Sequence, residues 1–122
     1  MGKIVLTVDD SKTMRDMLRL ALTDAGHTVV QADDGQHGVE VLSTTPGIDV
    51  IVTDINMPRM DGYAFIDHVR HDPQNSATPI LVLTTESDAT KKQRARDAGA
   101  TGWIVKPFDP QKLVAAINRV SQ

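Results

Sequence analysis

A chain of 122 residues with a formal net charge of -3 and no cysteine excludes several classes of protein at once. The acidic balance argues against a nucleic-acid binder, whose affinity rests on a basic surplus, and the missing thiols exclude disulfides and thiolate metal sites. No apolar run approaches the roughly 20 residues that cross a bilayer, so a soluble, cytoplasmic protein is expected, with a single domain over 1–122 and no second folded module.

Five short runs rich in Val, Ile and Leu each precede a segment of helical spacing, the alternation that marks parallel βα units. The runs are Ile4–Val8, Thr28–Ala32, Val50–Thr53, Ile80–Leu83 and Trp103–Val105. The first, third and fourth are near-continuously apolar, as strands covered on both faces are; the mixed second run suits an edge. The first helix opens with Ser11 as N-cap, and Met14, Met17, Leu18, Ala21, Leu22 and Ala25 recur at helical spacing before a stop at Gly26. These methionines are expected in the core. The second helix, from about Gln36, buries Val39 and Leu42, and the third, opened by Asp61, buries Phe65, Ile66 and Val69. The fourth, from Asp88 to Ala98, offers only Ala89, Ala95 and Ala98 as an apolar side, with Lys91, Lys92, Arg94 and Arg96 around the rest. Such a helix buries little and is expected to be held less firmly than the others. The last starts at Asp109-Pro110 and buries Leu113, Ile117 and Val120. The expected fold class is α/β, a flavodoxin-like (βα)5 doubly wound parallel sheet in strand order 2-1-3-4-5.

Open parallel sheets gather their chemistry beyond the carboxyl ends of the strands, where the strand order reverses. Asp9-Asp10, Asp54, Thr84-Thr85 and Lys106-Pro107 end the first, third, fourth and fifth runs. Three carboxylates would therefore share one pocket, with Thr84 and Lys106 as its other wall. Two unit charges about 4 Å apart repel by roughly 4 kcal/mol at an effective dielectric near 20, so something must offset them. Either one carboxyl keeps its proton, or a hard divalent cation sits among the oxygens, and Mg²⁺ suits a few carboxylates with a carbonyl, water and a phosphate. Lys106 could then neutralise a phosphoryl oxygen and the Thr84 hydroxyl could donate to another, as phosphoryl transfer demands. Asp33-Asp34 also follows a strand, but at the sheet edge, and is expected only to start the second helix. His68 and His71 lack a third ligand and fit the charge preference of a helix C-terminus. The basic cluster of the fourth helix reads as a solvated or partner-docking face.

Val8-Asp9-Asp10-Ser11, Thr53-Asp54-Ile55-Asn56-Met57-Pro58, Met60-Asp61-Gly62, Leu83-Thr84-Thr85 and Val105-Lys106-Pro107-Phe108 occur in one order and spacing. In that combination the chain resembles the CheY-like response-regulator receiver family over essentially its whole length. The resemblance implies that Asp54 is the phospho-acceptor, phosphorylated from the phosphohistidine of a CheA-like histidine kinase. It implies that Asp10, Asp54 and the Asn56 backbone carbonyl ligate Mg²⁺ directly, with Asp9 acting through water, and that Thr84 and Lys106 sense the phosphoryl group. It also implies a cis Lys106-Pro107 bond, and it places Asn56 and Glu86 beside the path of a hydrolytic water, where they tune dephosphorylation.

The chain departs from the family at two positions. Members usually have Tyr or Phe at the switch position matching Trp103 and a smaller residue where Thr85 stands. An indole has no hydroxyl and needs more room, so Trp103 is either a switch of altered form or a fixed cover on the sheet edge. The expected function is a monomeric signalling switch without independent enzymatic turnover, whose phosphorylation changes its protein partners. By similarity to short CheY-type receivers the partner is a flagellar motor switch protein in chemotaxis; the alternative is a phosphate sink or phosphorelay intermediate. Two other classes fit less well. A haloacid-dehalogenase-type phosphatase needs a second acid two positions after its nucleophile, where Ser11 stands, and a flavin-binding flavodoxin would meet repulsion from Asp9-Asp10.

Overall fold

Each of the five runs forms a strand and each is followed by a helix in the computed structural model, which describes residues 2–122. The order is β1 (Ile4–Val8), α1 (Lys12–Asp24), β2 (Thr28–Ala32), α2 (Gly35–Thr44), β3 (Val50–Thr53), α3 (Gly62–His71), β4 (Ile80–Thr84), α4 (Ala89–Ala98), β5 (Gly102–Val105) and α5 (Pro110–Val120). The strands form one parallel sheet in the order β2-β1-β3-β4-β5, so β2 is an edge as its mixed composition predicted.

Alternate strand residues serve opposite faces, as the period of two requires. Leu6, Val8, Ile51, Ile80 and Val82 pack beneath α2, α3 and α4 with Leu42, Phe65, Ile66, Val69 and Ala95. Val5, Val50, Val52, Leu81 and Leu83 pack beneath α1 and α5 with Leu18, Leu22, Leu113 and Ile117. Covering both faces explains the unbroken apolar runs of the central strands. Each helix starts where an oxygen-bearing side chain can accept an orphan N–H: Ser11, Asp34, Asp61, Asp88 and Asp109 all serve as N-caps. No helix among the described residues is long and apolar enough to cross a membrane.

One expectation about the core is corrected. Met17 is 46% exposed and the neighbouring Leu20 is 64% exposed. The stripe of α1 that meets the sheet is narrower than the apolar periodicity suggests, comprising Met14, Leu18 and Leu22. Met17 precedes Leu18 by one residue, about 100° around the helix, and lies off that stripe beside Phe108 and Pro110. Ala25 lies beyond the end of α1 as its C-cap and is exposed.

The weak apolar face of α4 is confirmed, since Ala95 is its only buried residue. Other contacts hold the helix. Asp88 caps its first turn, Gly99 closes it at a φ of 118°, and Arg94 lies 3.9 Å over the Tyr63 ring. Arg70 donates to the Gly99 carbonyl at 2.8 and 3.0 Å, tying the end of α4 to α3.

The close approach of α3 to β3 sets the position of Asp54. A Cβ on Gly62 would collide with the Asp54 carbonyl oxygen and come within 2.8 Å of the Ile55 Cα. Gly62→Ala is therefore expected to cost about 1–3 kcal/mol, read as a lower urea midpoint, because backbone must move to admit the methyl. A midpoint equal to that of the wild type would contradict this packing.

Candidate functional site

The sheet reverses order between β1 and β3, and paired strand ends there are level: Val8 faces Thr53, while Thr84 faces Val105. The residues that follow these ends consequently meet. Asp9 is 2% exposed and held through its backbone, its N–H donating to the Ala32 carbonyl at 3.1 Å and its carbonyl accepting from Arg15 Nη1 at 2.8 Å. Its Oδ1 accepts from the Ser11 N–H at 2.9 Å, turning the chain into α1. Asp54 donates its N–H to the Val8 carbonyl at 2.9 Å, and its Oδ1 accepts from the Ile55 N–H at 2.6 Å.

Lys106 completes this arrangement from the end of β5. Its Nζ donates to Asp9 Oδ2 at 2.8 Å and to Asp54 Oδ2 at 2.7 Å, and the Lys106-Pro107 peptide bond is cis. Burial pushes the Asp9 carboxyl above the ordinary range, although the hydrogen bonds from Lys106 and Ser11 oppose it. Burial alone would disfavour the Lys106 ammonium, but the bonds to Asp54 and Asp9 outweigh it and its pKa lies above the usual lysine value. The acids by themselves call for a proton or a divalent ion to offset their charge. The ammonium is a third offset, reached because a long flexible stem on the far wall spans both carboxylates.

The donor set fits a hard cation. Asp9, Asp10 and Asp54 each offer one oxygen, all within 4.8 Å of one another. Octahedral Mg²⁺, with bonds of about 2.0–2.1 Å, sets its ligands roughly 3–4 Å apart, and it retains several waters. Asp10 is exposed, so solvent reaches that side of the cluster.

The other predicted residues form the rim. Thr84 is fully buried, and its Oγ1 accepts from the Glu86 N–H at 3.4 Å. Asn56 is exposed and its Nδ2 donates to Glu86 Oε1 at 3.4 Å. Thr85 is exposed. Trp103 is half-buried, and its Nε1 donates to the Glu86 carbonyl at 3.1 Å, tethering the indole to the β4–α4 loop. His68 and His71 are exposed at the end of α3. Among the described residues they join no cluster of three ligands.

Three contributors escaped the sequence reading. Arg15 on α1 holds the Asp9 carbonyl. Lys91 on α4 pairs with Glu86 at 3.1 Å. Arg59, at a φ of 63°, donates its Nε and Nη2 to the Asp34 carboxylate at 2.6 and 3.1 Å. Asp34 thus does more than start α2: it also pins the β3–α3 loop, and the guanidinium holds its carboxyl below the usual range. Arg59 stands 25 residues from Asp34, and no local pattern signals such a pair.

A flavodoxin-like sheet with three acids, a threonine and a lysine at its switch point defines a class of small α/β proteins built around one acidic crevice. The chain belongs to the response regulator receiver domain family, which it matches over residues 5–118. It is 38% identical over 117 residues to the probable chemotaxis protein CheY of Rhizobium etli, spanning 95% of this chain and 90% of that protein. It is 36% identical over 117 residues to the sensor histidine kinase CheAY of Helicobacter pylori, covering 95% of this chain and 15% of the kinase. The solved structure of the Vibrio cholerae chemotaxis protein CheY4 superposes with a TM-score of 0.93 at 44% identity, covering 98% of this chain and 99% of that one. This is therefore a receiver domain of two-component signalling, with CheY proteins of chemotaxis among its relatives.

Proposed function

We propose that Asp54 accepts a phosphoryl group from the phosphohistidine of a CheA-like histidine kinase, and that the phosphorylated domain signals by changing its protein partners. The observation that carries this reading is the convergence of Asp9, Asp10 and Asp54 within 4.8 Å, with Lys106 bonded to two of them. Asp10, Asp54 and the Asn56 carbonyl would hold Mg²⁺ directly, with Asp9 acting through water. Such an ion supplies charge that screens the acids from an incoming anionic phosphoryl group.

The residues of the chain supply the rest. An Asp54 carboxylate oxygen bonds phosphorus as the donor's N–P bond breaks, and the electron pair returns to the imidazole nitrogen. The backbone N–H of Ile55 keeps the Asp54 carboxylate oriented for that attack. Lys106 can pass from the carboxylates to a phosphoryl oxygen, and the Thr84 hydroxyl can turn from Glu86 to another. Asn56 and Glu86, joined across the rim, limit the water that hydrolyses the product. The domain thus promotes its own phosphorylation and dephosphorylation without turnover of an external substrate.

The favoured output is chemotaxis, through phosphorylation-dependent binding of a flagellar motor switch protein. Support comes from the CheY relatives and from the basic α4, whose buried contact is confined to Ala95. A phosphate-sink or relay role is supported by the Trp103 tether, since a ring bonded to the Glu86 carbonyl favours an output that needs no ring rotation. Incubation with acetyl phosphate and Mg²⁺ is expected to add the mass of one phosphoryl group, and Asp54→Ala should add none. Uptake that survives in Asp54→Ala would overturn the assignment.

A further inference from the structure

Glu86 joins four elements. Its Oε1 lies 3.1 Å from the Lys91 Nζ of α4 and accepts from Asn56 Nδ2 of the β3–α3 loop at 3.4 Å. Its carbonyl accepts from the Trp103 indole of β5, and its N–H donates to the Thr84 hydroxyl at the end of β4. Asn56 and Glu86 stand two residues beyond Asp54 and Thr84, so their contact bridges the two loops that flank the acceptor carboxylate. Lys91 reaches this bridge from a fixed backbone. Its N–H donates to Asp88 Oδ1 at 3.2 Å and its carbonyl accepts from the Tyr63 hydroxyl at 3.4 Å. The hydrogen bond with Glu86 also holds its ammonium above the ordinary lysine range.

We propose that Lys91 is a positioning residue that keeps Glu86 against Asn56 and thereby prolongs the life of the phosphoryl group on Asp54. The inference rests on the reading of Asp54 as phospho-acceptor. In hydrolysis a water oxygen bonds phosphorus and a water proton passes to solvent. The P–O bond to Asp54 breaks and leaves its electron pair on the restored carboxylate. A closed Glu86–Asn56 bridge narrows the approach of that water. Without the ammonium, the Glu86 carboxylate swings to solvent and the approach opens. The pair is partly exposed, with 49% and 27% of the two side chains accessible, so the expected change is modest. Exposed pairs of this kind shift an equilibrium by about two- to fivefold.

The test loads the full chain with acetyl phosphate and Mg²⁺ at low ionic strength, removes the donor by desalting, and follows the phosphorylated species by intact mass. Lys91→Met is expected to decay about two- to fivefold faster than wild type. Lys91→Arg keeps the charge and should restore the wild-type rate. Glu86→Ala should also decay faster, and the double variant Lys91→Met/Glu86→Ala no faster than Glu86→Ala alone. Wild-type decay in Lys91→Met, or effects that multiply in the double variant, would overturn the role of Lys91 while leaving Asp54 as acceptor. A wild-type chain that never takes up the phosphoryl group would instead overturn the reading of Asp54, and the inference with it.

Discussion

Lys106→Met is expected to lower folding stability by about 3 kcal/mol in EDTA and to regain most of that loss in Mg²⁺. Removing one member of a buried ion pair typically costs about 3–5 kcal/mol, because the partner charge stays behind without compensation. Here two carboxylates stay behind, Asp9 at 2.8 Å and Asp54 at 2.7 Å from the lost ammonium. The Lys106 and Asp54 side chains keep 11% exposure, which admits some water and places the loss toward the lower end. A ligand at a hundred times its Kd returns about 2.7 kcal/mol. In the wild type a divalent ion must work against the ammonium, so the variant should also bind Mg²⁺ at least about tenfold more tightly. Urea titrations with and without Mg²⁺, and calorimetry of Mg²⁺ binding, measure both quantities. Equal magnesium-dependent shifts in wild type and variant would refute the role given to Lys106.

Asp9→Asn should act in the opposite sense, raising stability in EDTA at pH 7 while weakening Mg²⁺ binding by at least about tenfold, as expected for the loss of one acid beside the ion. The sign follows from the buried carboxyl, whose pKa is raised. A carboxyl with a raised folded pKa contributes stability below its unfolded value near 3.9, and that contribution is lost as pH rises through the folded value. At pH 7, above the unfolded value, the wild type therefore bears a penalty for ionising Asp9 within the crevice that the asparagine does not. The asparagine oxygen can still accept from the Ser11 N–H, so the turn into α1 survives. The difference between variant and wild type should open as pH climbs above about 4 and vanish below it. A variant less stable than wild type at pH 7 would show instead that the Lys106 pair outweighs desolvation; the expected result is the more stable variant. Taken with Lys106→Met, that outcome would describe a crevice whose acids are kept at the expense of stability, as the proposed ion and phosphoryl group require.

Local physics made most of the fold legible. Ser11, Asp61 and Asp109-Pro110 announce helix starts through capping, which acts over three residues or fewer. The apolar runs announce strands covered on both faces, and the mixed Thr28–Ala32 announces an edge. Once the strands are placed, Asp9, Asp54, Thr84 and Lys106 must meet, because each lies at or directly beyond the carboxyl end of its strand. Met17 was misplaced because periodicity marks a helix face without saying how much of that face the sheet covers.

Where the long side chains reach is another matter. Lys106 bonds Asp9 across 97 residues, Arg59 bonds Asp34 across 25, and the Trp103 indole bonds the Glu86 carbonyl across 17. Composition and spacing carry the elements and the membership of the crevice, since both follow from backbone preferences acting within a few residues. The pairing of Lys106 with both acids, of Arg59 with Asp34 and of Lys91 with Glu86 belongs to the packed molecule. Flexible stems choose their partners only after the sheet has set the distances among loop ends, and the charge that prevails at each point depends on how much water that packing leaves.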